Sequence, residues 1–127
     1  MAAAFPGLGE IGQIAITCKD VKRAATYYRD VLGMRFLFDA PNLAFFQAGG
    51  VRLMLTGVEA PEFDHPASIL YFRVPDIAAA HAELKRRGVE FRTEPHVVHR
   101  TDTMELWLSD FHDCERNTFA LMEERKK

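Results

Sequence analysis

IGQIAITCKD (Ile11 to Asp20) alternates β-branched with small or polar residues and ends in an aspartate, and SILYFRVPD (Ser68 to Asp76) repeats that design 56 positions later. Internal repetition outranks any single-element reading, because each copy must be one supersecondary unit. Behind Asp20 the apolar residues Val21, Ala24, Ala25, Tyr28, Val31 and Leu32 recur at helical spacing, and behind Asp76 Ile77, Ala80 and Leu84 do the same with His81. Each aspartate is placed to cap its helix by accepting the free amides of the first turn. Gly33 and Gly88 follow the last turns, where a residue free to take positive φ ends a helix. Strand character then returns as RFLFDA, LAFFQA and VRLMLTG in the first half, and as VEFRTE, a stretch around HVVHR, MELWLSD and TFALMEE in the second. The spacing predicts βαβββ twice, an α+β chain: module 10–57, module 68–124, and a linker 58–67 carrying Pro61 and Pro66, all within one domain spanning 1–127.

Composition fits one soluble body. At 127 residues the chain is long enough for one core and too short for two enzyme domains. A hydrophobic content of 48% with 27% charged residues excludes a disordered or fibrous class. Sixteen Lys and Arg against 18 Asp and Glu give a net charge of −2 with no concentrated basic stretch, so no nucleic-acid partner is expected. No window approaches the eighteen apolar residues of a membrane span, and the leading MAAAFPGLGEIG lacks the basic start of a secretory signal. Two cysteines, Cys18 and Cys114, make no disulfide framework or zinc knuckle, which points to a reducing, cytoplasmic setting.

Strand alternation divides each sheet into two faces. Leu70, Phe72, Val74, Phe119 and Leu121 form the face expected to carry a helix. Gln13, Ala15 and Thr17, then Arg52, Met54 and Thr56, then Ile69, Tyr71 and Arg73, then Thr118, Ala120 and Met122 form the opposite one. That second set mixes apolar and polar groups, as a partly wet concavity does, and the two modules are expected to share it. Of the consecutive Phe45 and Phe46, only one can face the concavity.

The run YYRDVLGM (Tyr27 to Met34), with Gln13-Ile14-Ala15-Ile16, Asp20, Val74-Pro75-Asp76-Ile77, Glu83-Leu84 and Arg87-Gly88-Val89, resembles the vicinal oxygen chelate superfamily of glyoxalase lyases, bleomycin-resistance proteins and extradiol dioxygenases. The resemblance runs from about residue 10 to 124. It implies paired βαβββ modules in a curved mixed sheet around a ligand cleft, often in a homodimer. Metalloenzymes of this family hold a divalent ion with four side chains, one from the first and one from the last strand of each module. Seven residues before the capping aspartates stand Gln13 and Ile69. The first module's last strand offers Met54. In the second module the family's DPDGN-like turn is Asp113-Cys114-Glu115-Arg116-Asn117, departing at the proline and the glycine, and seven residues after Asp113 comes Ala120. Hydrocarbon side chains and a thioether are not donors for such an ion, so only Gln13 remains and no metal or other cofactor is expected.

Glu105 and Trp107 share one face of MELWLSD, where an indole beside a carboxylate could receive a cationic aromatic ligand. His96 and His99 would lie on opposite faces of a regular strand, wrong for shared coordination, and Cys18 has no base near it in sequence. The candidate ligand-binding set is therefore Gln13, Met54, Ile69, Tyr71, Arg73, Glu105, Trp107 and Ala120, with no catalytic residue and a small molecule as partner. Two functions fit this pattern. One is a metal-free, homodimeric protein binding an aromatic or hydrophobic small molecule. The other is a glyoxalase-like lyase or other superfamily enzyme with a degenerate metal site.

Overall fold

Two sheets carry the repeat, in a computed structural model that describes residues 5–58 and 61–127. Residues 1–4 and, within the linker, 59 and 60 lie outside the described residues. The first half supplies β1 (Gln13–Cys18), α1 (Val21–Thr26), β2 (Arg35–Ala40), β3 (Leu43–Ala48) and β4 (Val51–Gly57). The second supplies β5 (Leu70–Arg73), α2 (Ile77–Arg86), β6 (Glu90–Phe91), β7 (His96–Arg100), β8 (Met104–His112) and β9 (Thr118–Lys126). Sheet one runs β1-β4-β3-β2, and sheet two runs β5-β9-β8-β6 with β7 also on β8. In each, the first strand pairs in parallel with the last and the rest are antiparallel, so the two halves share one topology, with the edge strand of the second broken into β6 and β7, both on β8. This is the α+β, twofold βαβββ architecture that the sequence pattern implies.

The caps form as the sequence predicts. The Asp20 carboxylate accepts from Arg23 N at 3.0 Å and Asp76 from Ala79 N at 3.1 Å. Gly33 and Gly88 follow the helices with φ of +70° and +94°, a conformation that costs a side-chain-bearing residue roughly 1–2 kcal/mol. The first helix departs from the expected stripe. After Thr26 it widens into a turn spanning Tyr27–Val31, closed by Leu32 N donating to the Tyr27 carbonyl five residues back. VEFRTE is also shorter than expected as a strand, reduced to Glu90–Phe91. Beyond it Arg92 and Thr93 attach through their backbone amides to the Asp110 carbonyl rather than by a regular ladder.

The helices cover one side of each sheet, and a single core fills the space between them. Tyr28, Phe46, Phe111 and Phe119 are its largest members. Tyr28 meets Phe46 of the first module at 5.8 Å and Phe119 of the second at 6.1 Å, edge-on or tilted as aromatic quadrupoles prefer. Polar links join the modules at the same place. Tyr28 Oη donates to Asp113 Oδ2 at 2.6 Å. Glu115, almost fully buried, accepts from the backbone amides of Lys19 and Asp20 and from Arg23 Nη2. Within the second module Glu123 Oε1 receives α2 in a similar way, accepting from Ile77 N at 2.8 Å. Both helix starts thus receive a carboxylate from the second module beside their own cap, where the helix dipole favours negative charge.

Candidate functional site

The sides of the sheets away from the helices are open. On sheet one the register places Gln13 beside Arg52 and Ala15 beside Met54, which in turn pairs with Phe45. A bulge between Phe36 and Phe38 turns Phe38 onto this side, where it stacks on Phe45 at 4.4 Å, while Phe36 packs inward on Phe46. Phe45 is thus the member of the pair that faces outward. Arg52 lies over the Phe45 ring at 5.2 Å and donates through Nε to Gln13 Oε1 at 2.8 Å. Gln13 Nε2 in turn approaches Met54 Sδ at 3.7 Å.

On sheet two, Ile69, Tyr71 and Ala120 line a recess of about 210 Å³ with Leu108, His96 and Asp110. Its polar edge is pre-organised. Asp110 accepts from Arg92 Nε at 2.6 Å, and Thr93 Oγ1 donates to the same carboxylate. Burial alone would raise the Asp110 carboxyl, but Thr93 and Arg92 overcome it and hold the group below the usual carboxylate range. His96 Nδ1 lies 2.7 Å from the Glu94 carbonyl, which can only accept, so that nitrogen carries a proton.

Several sequence expectations change here. The recess is built entirely from residues 69–120, so it is not the concavity that the two modules of one chain were expected to share. Gln13 and Met54 stand together on the other sheet. Glu105 and Trp107 do not join Tyr71 and Ala120 either. They pair across β9 with Arg125 and Glu123, in register with the inward Phe119 and Leu121, and so occupy the helix side. There Trp107 Nε1 donates to Glu105 Oε1, Arg100 pairs with Glu105, and Arg125 lies 4.5 Å over the indole. Groups of the chain itself therefore already supply the cation and the carboxylate partners proposed for a ligand. Arg73 pairs with Glu124 on the open side.

His96 and His99, expected on opposite faces, share one. A bulge between Val97 and His99 places them opposite Leu108 and Leu106, which lie two apart on β8. An extra residue in one strand resets the alternation, and the His-x-x-His spacing alone could not show it.

A divalent ion does not fit these residues. The Gln13 oxygen is taken by the Arg52 guanidinium, which puts positive charge where the ion would sit, and Met54, Ile69 and Ala120 offer no oxygen or nitrogen. Among the described residues no three His, Cys, Asp or Glu side chains stand close enough to hold one. The thiols are not activated nucleophiles. Burial, then Glu115 and Asp113, pushes Cys18 up to about 12, and burial with Asp113 pushes Cys114 to about 11, so both stay protonated near neutrality. The residues of the DPDGN-like turn serve structure instead. Asp113 accepts from Glu115 N, Asn117 N, Asn117 Nδ2 and Tyr28 Oη, while Asn117 Oδ1 receives Ala67 N from the linker. Arg116 holds φ +66° at the place where the motif carries glycine.

With paired modules, their shared topology and the altered ligand positions in view, comparison with known proteins places the chain. The family model of the Glyoxalase/Bleomycin resistance protein/Dioxygenase superfamily matches residues 10–121. The chain belongs to that superfamily. Its fold is similar to that of a glyoxalase/bleomycin resistance protein/dioxygenase from Nocardioides, with 18% identity, a TM-score of 0.72, and 94% of this chain and 85% of that one covered. A superfamily member from Sphaerobacter thermophilus aligns at 21% identity and TM-score 0.75, covering 91% and 98%. A lactoylglutathione lyase from Agrobacterium tumefaciens aligns at 18% identity and TM-score 0.69, covering 94% and 96%. At these identities the likeness is one of fold. No curated protein matches the chain in sequence. No helix among the described residues is long and apolar enough to cross a membrane.

Proposed function

We propose that this superfamily member binds a flat aromatic or hydrophobic small molecule without a metal ion, as a cytoplasmic homodimer whose partner chain completes the cleft. The observation that carries this reading is the chemistry at the family's ligand positions: Gln13 tied to Arg52, and Met54, Ile69 and Ala120. With Ile69 and Ala120 in place of longer donors, the recess on sheet two has an apolar floor and a polar rim of Asp110, His96 and Arg92. A few fixed polar groups around an apolar floor orient a ring rather than hold an ion. The recess is smaller than a typical ligand site, and the open sides expose large apolar residues, with Phe38 at 48%, Ile69 at 53% and Tyr71 at 53%. The strands β1 and β5 are also sheet edges with unpaired backbone groups. A second copy laid against these surfaces would cover both features and enclose the ligand.

The test is a thermal-shift screen of aromatic compounds against the wild type and Ala120→Trp, with light scattering for the oligomer. Ligands are expected to raise the Tm of the wild type only, on a particle of about twice 14.4 kDa. Equal shifts in both proteins would move the ligand elsewhere. One tightly bound ion per chain after reconstitution with nickel, zinc or iron, lost in Gln13→Ala, would instead favour a lyase or another metal-dependent superfamily enzyme.

A further inference from the structure

The strand residues on the open side of sheet one form cross-strand rows. Arg35, Gln47, Arg52 and Gln13 stand in register across β2, β3, β4 and β1, and Phe38, Phe45, Met54 and Ala15 form the next row. No aspartate or glutamate stands in either row. Asp39, the one acid of these four strands, pairs with the buried Ala44 and so lies on the helix side. Among the described residues eight of the eleven arginines pair with a carboxylate, and Arg35, Arg52 and Arg116 do not. Two of those three therefore share this face, whereas Arg73 and Arg92 on the open side of sheet two are neutralised by Glu124 and Asp110. Arg52 is also held in place. Its Nε donates to Gln13 Oε1 and its guanidinium lies over the Phe45 ring, which leaves Nη1 and Nη2 without a partner among the described residues.

We infer that the ligand of the open sides is an anion, an aromatic carboxylate with its two oxygens on Arg52 and its ring against Phe38 and Met54. The inference rests on the reading of the open sides as the walls of a cleft for a flat molecule, and supplies the charge that this reading leaves open. A neutral acceptor such as Gln13 orients the guanidinium without cancelling its charge. The two free Nη atoms match a carboxylate with parallel hydrogen bonds, and Arg35, two strands away, adds attraction at longer range. The rows lie two residues apart along the strands, about 6–7 Å, the scale of the separation between carboxylate and ring in an arylacrylic acid. Phe38 is exposed and already stacks on Phe45 at 4.4 Å, so its outer face is open to a further ring. That apolar row favours a body that gains by leaving water, which a small hydrated anion such as inorganic phosphate does not.

Calorimetric titration of the full chain with sodium cinnamate, and with cinnamamide as its neutral counterpart of the same shape, tests the assignment. Cinnamate is expected to bind at least about tenfold more tightly than cinnamamide, the effect of a charge-assisted hydrogen bond. Arg52→Gln should remove that advantage while leaving cinnamamide binding unchanged, and Arg52→Lys should keep only part of it. Phe38→Ser should weaken both compounds. Arg116→Gln, which changes the unpaired arginine of the other face, should bind cinnamate as the wild type does. Thermal melts confirm that each variant is folded, and rising salt should weaken cinnamate alone, an independent reading in the unmodified chain. Equal affinity for the two compounds, binding of neither, or indifference to Arg52→Gln overturns the inference. Loss of the dimer in Arg52→Gln by light scattering would pair this arginine with a carboxylate of the second copy and overturns it too. The two readings fail separately: equal affinities that Ala120→Trp abolishes keep the aromatic cleft and remove only its charge preference, whereas an Arg52-dependent advantage that survives Ala120→Trp keeps the anion site and moves it away from the recess.

Discussion

The two sides of the same strands are built to different rules. On the helix side polar groups are committed to the core and to the helix starts: both Asp113 oxygens are engaged, Tyr28 and Glu115 tie the modules together, and Glu123 receives the start of α2. On the open side polar groups pair with each other, as Arg52 does with Gln13 and Arg92 with Asp110, between exposed apolar residues. Stability is therefore concentrated on one side and capacity for ligand and partner on the other, although a substitution on either lies only one residue away along the chain.

Breaking the helix side should have the largest effect. Asp113→Ala removes the acceptor of four hydrogen bonds and strands the Tyr28 hydroxyl in the core. Urea unfolding should show a loss of at least about 3 kcal/mol, with Tm down by about 10 °C. A loss below about 1 kcal/mol would mean that the turn is not the joint between the modules. Next comes Arg116→Gly in the same turn. The residue sits at φ +66°, so glycine relieves backbone strain, and a gain of up to about 1 kcal/mol is expected once glycine's larger unfolded-state entropy is set against it.

The open side responds to pH and to association more than to folding. The Asp110 carboxyl is held below its ordinary value, so its contribution is fully present above the unfolded-state range near pH 4 and is lost as pH falls through the lowered folded value. Urea midpoints measured across that window should fall towards acid, and Arg92→Gln should flatten the fall; an unchanged slope would show that the pair carries no such linkage. The smallest effect on stability belongs to Ile69→Asp, within about 0.5 kcal/mol at an exposed position. If the open sides meet in a dimer, that substitution nevertheless yields a monomer by light scattering. A variant that stays dimeric would move the interface elsewhere and weaken the contrast between the sides.

Much of this molecule is written in neighbouring residues. The repeat, the two aspartate caps, the terminating glycines, the division of Leu70 and Phe72 from Ile69 and Tyr71, and the replacement of donors by Met54, Ile69 and Ala120 all follow from the sequence. Periods of 3.6 and 2, and the spacing from a cap, are properties of a few consecutive positions. What only the tertiary structure decided are matters of pairing across long separations. The bulge in β7 brought His96 and His99 to one face, the register of β8 on β9 carried Glu105 and Trp107 to the helix side, and a widened turn after α1 carried Tyr28 between the modules. The Asp113 cluster spans 85 positions to reach Tyr28. Such features depend on which strands meet and with what offset, and that offset is set by the packing of the whole core rather than by the residues that display it.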